Sequence, residues 1–298
     1  MKTTVVITGG CGFIGTNLVK FLLQRHQEIS VVVLDALTYA GNLENFTEEE
    51  RGRFVFIYGD VRDEEAVRQA LSGSDAVVHL AAETHIDRSI AQADAFLSTE
   101  IYGTYTLLRV MREFTAPPRL VLISTSEVYG SAEYVPMDER HPLKPQSPYA
   151  AAKLGAEALA SAFCATYELP ILILRPFNAY GPYQYPEKLI PLFITNALRG
   201  EPLPLYGTGE NTRDWTYVED LCDALVRAIF APEDLFRGEV FNIGTGREFS
   251  ARQVGESILN MLGAPPSLMQ SVADRPAHVR RLLCSAEKIQ NALGWQAK

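Results

Sequence analysis

The sequence predicts an α/β fold, a doubly wound parallel sheet followed by a smaller C-terminal α/β lobe. Three observations carry this expectation. Short, nearly continuous apolar runs recur at 3–8, 29–34, 54–58, 76–80, 120–124 and 171–174, as strands covered on both faces require. Amphipathic stretches at 16–24, 95–111 and 150–167 separate several of them. The first run ends in a glycine-rich turn, Gly9 to Gly15, that opens directly into the first amphipathic stretch.

Composition bounds the function. The chain has 298 residues, 47% hydrophobic and 21% charged, which is ordinary globular usage for one large domain or two moderate ones. Its 27 basic against 36 acidic residues give a net charge of −9 without a basic run. General affinity for nucleic acid or an anionic membrane is therefore disfavoured, although local basic pockets stay open. The cysteines Cys11, Cys164, Cys222 and Cys284 show no CxxC or CxH spacing, so neither a disulfide framework nor a metal site is indicated. That usage, and an N-terminus that enters a strand without a basic leader, point to the cytoplasm.

Taken in order, strand 3–8, the turn GGCGFIG, helix 16–24 and strand 29–34 form a βαβ unit. Gly9, Gly12 and Gly15 have GxxGxxG spacing, which permits a tight turn, close approach of a pyrophosphate and close helix packing, and Phe13 and Ile14 within the turn are expected beside the cofactor. Asp35 follows Gly15 by 20 residues, where a carboxylate binds adenosine ribose hydroxyls and repels a 2′-phosphate. NAD is thus expected in preference to NADP. The next strands end in GDVRD and HLAAETHIDRS, which puts Asp60 and Val61 near the adenine and Ala81 and Ala82 beside the cofactor. Glu83 follows them. His85 has no second histidine at metal spacing, so a polar loop role competes with ligand binding.

The strand 120–124 leads into Thr125, Ser126 and Glu127, and the helix 150–167 is preceded by Tyr149. Tyr149 and Lys153 are four apart and share one helix face. An ammonium beside a phenol favours the phenolate, which suits proton transfer from a substrate hydroxyl; alone, the same spacing describes an ordinary surface pair. The later segment 180–213 is rich in proline, glycine and aromatics and reads as long shaped loops.

GGCGFIG, LTYAGNLENF, HLAAETHIDRS, STSEVYG, YAAAK, GPYQYPEKLIP, RDWTYVEDL and DRPAHVRR together resemble the extended short-chain dehydrogenase/reductases of the nucleotide-sugar branch, with the dTDP-glucose 4,6-dehydratases most similar. The likeness runs from residue 1 to about 295. It implies a Rossmann-type sheet, NAD reduced and reoxidised within one turnover, and Thr125, Tyr149 and Lys153 as the hydride-transfer group. It implies Glu127 as the base that removes the proton at C5 of a 4-keto sugar. It further implies sugar-nucleotide contacts from Glu83, His85, Asn178, Glu187, Lys188 and Leu189, and a diphosphate clamp from Arg213 and Arg280.

Two residues depart from the pattern. Ser126 stands where dTDP-glucose enzymes carry the aspartate that protonates the leaving hydroxyl, and a serine hydroxyl is a poor acid, though it can orient a water or the C6 hydroxyl. Glu100 stands where relatives carry asparagine; it is either a carboxylate near the strand ends or a surface acid. The expected function is an NAD-dependent nucleotide-sugar 4,6-dehydratase acting on dTDP-glucose. UDP-glucuronate decarboxylase, UDP-hexose 4-epimerase and a non-catalytic NAD(H) sensor are the alternatives. The expected organisation is an NAD-binding lobe, 1–179, with a segment near 214–246 returning to it, and a sugar-nucleotide lobe mainly over 180–298. The helices 95–111 and 150–167 would form the four-helix interface of a homodimer. Relatives continue into a further helix beyond the GWQAK at which this sequence stops.

Overall fold

The computed structural model describes residues 2–298. Strands β1 (Thr3–Thr8), β2 (Ile29–Asp35), β3 (Phe54–Tyr58), β4 (Ala76–His79), β5 (Arg119–Ile123) and β6 (Ile171–Pro176) come first. Then follow β7 (Asn178–Tyr180), β8 (Leu203–Tyr206), β9 (Thr212–Tyr217), β10 (Arg237–Ile243), β11 (Glu248–Ser250), β12 (Met269–Val272) and β13 (Arg281–Leu282). The first six and β10 make one parallel sheet in the order β10-β6-β5-β4-β1-β2-β3. Strand order reverses at β1, which lies between β2 and β4, and such a switch point opens a crevice at the carboxyl ends of the strands. β10 contains the FNI of the motif that the sequence reading expects to return to the first lobe, and it pairs with β6.

Alternation along each strand divides the core between the two faces of this sheet. On β1, Val5 and Ile7 join one apolar cluster and Val6 the other, all fully buried. The first cluster includes helices Phe13–Arg25 and Val218–Ile229; the second includes Glu64–Leu71 and Thr104–Met111. Each fully buried aliphatic side chain contributes about 1.5–3 kcal/mol, so both faces resist opening. Ile289 and Trp295 also pack in the first cluster, and Trp295 Nε1 donates to Asp220 O at 2.9 Å. A smaller core around Phe193, Leu203, Leu205, Ile258 and Leu259 lies under β8 and β12.

Two local features set the site. The first helix begins at Phe13, three residues before the stretch assigned from amphipathicity, because glycines carry no periodic signal. The helix Pro148–Tyr167 begins with Ser147 accepting from Ala150 N at 3.1 Å and a proline in its first turn, a strong start signal. The sequence reads 95–111 as one regular helix. The structure inserts a wider π turn, Ser98–Gly103, between Asp94–Leu97 and Thr104–Met111, a distortion often found at functional sites. Among the described residues, no helix is long and apolar enough to cross a membrane.

Candidate active site

A cavity of about 560 Å³ runs along the carboxyl ends of the sheet. At one end lies the glycine turn. Gly9 has φ +69°, and a Cβ there would come within 2.7 Å of Ala81 N; at Gly15 it would lie 2.2 Å from Gly9 O. A side chain at either position would strike backbone, so only glycine lets the turn close this tightly. Helix Phe13–Arg25 starts at Gly12 with no side-chain cap, which leaves its first amides available to an anion. Asp35 ends β2 and accepts from Cys11 N at 2.8 Å and Leu37 N at 2.7 Å. These two bonds fix the carboxylate and leave further lone pairs for ribose hydroxyls. Burial raises its pKa, while the two amides oppose that shift. Phe13, Ile14, Asp60, Val61, Ala81 and Ala82 line the same end. An uncapped helix start, a side-chain-free cradle and a fixed acid together fit a dinucleotide.

Midway along, β5 ends at Ile123, and Thr125 caps a short turn, Ser126–Tyr129, by accepting from Glu127 N at 3.2 Å. Ser126 and Glu127 are thereby held at the cavity wall, both buried. Glu127 lies 3.8 Å from the guanidinium of Arg213 on β9, which is itself buried. Tyr149 and Lys153 enter from the facing helix. Lys153 Nζ donates to Ile123 O at 3.1 Å and pairs with Glu100 Oε2 at 2.9 Å. Burial raises the Tyr149 phenol well above its ordinary value, the charges of Glu100 and Glu127 add to this, and a hydrogen bond with Thr125 opposes it. Glu100 therefore faces Lys153 and is no surface acid.

The far end is formed by loops. Glu83, His85, Asn178, Glu187, Lys188 and Leu189 all line it. His85 caps helix Ile86–Ala91 through Nδ1 and lies 4.0 Å from Glu187. Lys188 Nζ donates to Thr84 O at 2.6 Å, and burial pushes its ammonium down to about 8. Arg280 is a correction. Its side chain is exposed and does not line the cavity, because its backbone is pinned at both sides: N–H donates to Ser131 Oγ at 3.0 Å and C=O accepts from Thr212 N at 2.9 Å. Arg275 lines the cavity, 3.3 Å from Asp87 and 3.0 Å from His278 Nε2.

Tyr39 lines the cavity as well. Its hydroxyl donates to Glu187 at 2.8 Å, and Arg88 stacks 3.7 Å over its ring. The motif LTYAGNLENF marks the segment, but nothing local signals a partner 148 residues away. Lys188, Arg213 and Arg275 give an acidic protein a local basic pocket suited to an anionic ligand.

Residues 6–298 match the family model described as GDP-mannose 4,6 dehydratase. The low-salt glycan biosynthesis protein Agl12 of Haloferax volcanii is 45% identical over 98% of this chain and 93% of its own length. The dTDP-glucose 4,6-dehydratase of Streptomyces niveus is 41% identical over 99% of this chain and 88% of its own. The crystal structure of DesIV, the dTDP-glucose 4,6-dehydratase of Streptomyces venezuelae with NAD and dTDP bound, superposes with a TM-score of 0.94 at 42% identity, covering 99% of this chain and 92% of that one. The likeness runs along the full chain, and the chain belongs to the GDP-mannose 4,6 dehydratase family of extended short-chain dehydrogenase/reductases.

Proposed function

We propose that the chain is an NAD-dependent nucleotide-sugar 4,6-dehydratase whose substrate is dTDP-glucose. The observation that carries this reading is the meeting of Tyr149, Lys153, Thr125 and Glu127 in one cavity with an uncapped glycine cradle; the full-length likeness to dTDP-glucose 4,6-dehydratases supports it. Gly9, Gly12, Gly15 and Asp35 would hold NAD, which would serve as a reversible hydride acceptor. Tyr149 takes the proton of the sugar 4-hydroxyl, with Lys153 stabilising the phenolate and Thr125 aligning it. Loss of that proton together with the C4 hydride leaves a carbonyl at C4, which acidifies the C5 proton that Glu127 removes; the hydride returns at C6 after the hydroxyl has left as water. Ser126 orients the 6-hydroxyl or a water as the C6–O bond breaks. Arg213, Arg275 and Lys188 hold the diphosphate.

The lobe division follows the same reading: 1–179 with the segment near 214–246 for the cofactor, and mainly 180–298 for the sugar nucleotide. The protein works in the cytoplasm, where its four free thiols stay reduced. It pairs as a homodimer through the faces of 94–111 and 148–167, on which Leu97, Tyr102 and Tyr167 are 43%, 53% and 43% exposed.

Incubation with dTDP-glucose should give a product lighter by one water that absorbs in alkali; an unchanged mass refutes the activity. One observation favours a second reading. Ser126 provides no carboxylic acid for elimination, and a UDP-glucuronate decarboxylase needs none. Carbon dioxide release from UDP-glucuronate, with dTDP-glucose inert, would select it.

A further inference from the structure

The pair formed by Glu100 and Lys153 is unusual in being buried at both ends, the side chains 2% and 7% exposed. A carboxylate out of water costs several kcal/mol unless it is paired and hydrogen-bonded, and here both conditions hold. Oε2 faces Lys153 Nζ at 2.9 Å, while Oε1 accepts from Glu83 N at 2.9 Å. A carboxylate has acceptors on both sides. An amide has one, so glutamine or asparagine would satisfy one donor and turn its NH₂ toward the other.

The π turn Ser98–Gly103 carries Glu100 inward, and Lys153 is held from the other side by Ile123 O at the end of β5. The carboxylate thus ties together the Lys153 helix and the Ala81–Glu83 loop that borders the glycine cradle. It also changes the field at Tyr149. The charged or titratable groups that act on that phenol are Glu100 from the π turn, Glu127 from the turn after β5, and Tyr39 from the loop after β2, all of which raise it; Lys153, on its own helix, lines the same cavity and is paired with Glu100, and His79, buried near Lys153, is neutral. An ammonium beside a phenol favours the phenolate, but the Lys153 ammonium is paired with Glu100, whose charge holds the Tyr149 phenol up.

We propose that Glu100 is a positioning residue that anchors Lys153 and sets the pH at which Tyr149 gives up its proton. The proposal rests on Tyr149 acting as the base for the 4-hydroxyl. With Glu100 in place, Tyr149 ionises at higher pH than it would beside an unpaired lysine. This gives Tyr149 a firm grip on the proton it must later return.

The test is a tyrosinate absorbance titration of the NAD-loaded protein without substrate, with the Tyr149→Phe protein as the difference reference. Glu100→Gln should lower the Tyr149 ionisation by about one pH unit. The ascending limb of kcat/KM with dTDP-glucose should move down by the same amount. Glu100→Asp, which keeps the charge, should titrate near the parent, and the shorter Glu100→Asn serves if the glutamine protein does not fold. An unchanged Tyr149 titration in the amide variants, even with a lowered melting temperature, overturns the proposal and leaves Glu100 a structural pair. An equal shift in Glu100→Asp overturns it too. If dTDP-glucose is not turned over, the substrate reading fails, while the titration still decides the role of Glu100.

Discussion

Replacing Arg175 tests how the fold supports the turn that carries Ser126 and Glu127. Arg175, at the end section of β6, is 4% exposed and pairs with Glu157, also 4% exposed, through two hydrogen bonds. Its Nη1 donates to the hydroxyl of Tyr129 at 2.8 Å, and that hydroxyl donates to Asn242 Oδ1 at 2.7 Å on β10. Tyr129 is the last residue of the turn Ser126–Tyr129. The network therefore locks β6, β10, helix Pro148–Tyr167 and the candidate catalytic turn together. In Arg175→Met the aliphatic volume stays and the charge goes, leaving Glu157 buried and unpaired, at a cost of about 3–5 kcal/mol. Unfolding entropy of about 2.1 cal/mol/K per residue, over 298 residues, is about 0.6 kcal/mol/K, so Tm should fall by about 5–8 °C. Scanning calorimetry of the ligand-free protein measures this. The double variant Glu157→Leu/Arg175→Met removes both charges and should regain most of the loss. A fall below about 2 °C in the single variant, or no recovery in the double, would refute the assignment of a tightly coupled buried pair.

Two further outcomes are expected. Ser126→Asp supplies the acid that the serine lacks, and water loss from dTDP-glucose in single-turnover mass analysis should accelerate on the order of 10²-fold; an unchanged rate would show that protonation at C6 does not limit elimination. His79, between Thr8 Oγ1 at 2.7 Å and Thr104 Oγ1 at 3.2 Å, is fully buried, and burial followed by the charge of Lys153 lowers its pKa from 6.5 to about 3. The folded state keeps it neutral while the unfolded chain takes up a proton below 6.5, so stability falls as pH falls. The contribution is about 2 kcal/mol between pH 6.5 and 5. Urea midpoints of the parent should drop across that interval by more than those of His79→Asn, and parallel slopes would reject it.

The sheet was legible because its strands are buried on both faces, which writes them as unbroken apolar runs such as Val5 to Ile7 and Leu120 to Ile123. The dinucleotide end was legible for a similar reason: a cradle that admits no side chain demands glycines at fixed spacing, and Gly9 and Gly15 sit where a Cβ would strike backbone. The loop-built end was only partly legible. DRPAHVRR offers three arginines with no period to say which way each faces, and β13 pairing with β9 turns Arg280 out while Arg275 faces in. Tyr39 and Glu187 meet through long-range packing that no local signal encodes. The π turn is likewise invisible to a pattern of period 3.6, so the sequence alone leaves Glu100 free to face solvent or the strand ends, and the turn carries it inward.

Ser126 lines the cavity and Glu100 sits just beyond its lining on Lys153; the resemblance marks both as departures, opposite in charge. The resemblance implies an amide at the position of Glu100 and an acid at that of Ser126. On that reading the number of acids is unchanged, and one stands beside Lys153 in place of one beside Glu127. That relocation predicts non-additivity for Ser126→Asp. Introduced alone, the new carboxyl joins Glu127, Glu83 and Glu187 around one cavity, with Glu100 paired to Lys153 just beyond the lining, and like charges raise its pKa. A raised pKa keeps it protonated, which favours proton donation. Combined with Glu100→Asn, the new carboxyl loses one of those neighbours and ionises more readily, while Tyr149 ionises at lower pH. Elimination in the double variant should therefore be slower near neutral pH than in Ser126→Asp alone, and its optimum should lie lower. Additive effects of the two substitutions would mean that Glu100 acts on Lys153 and Tyr149 without reaching the elimination step.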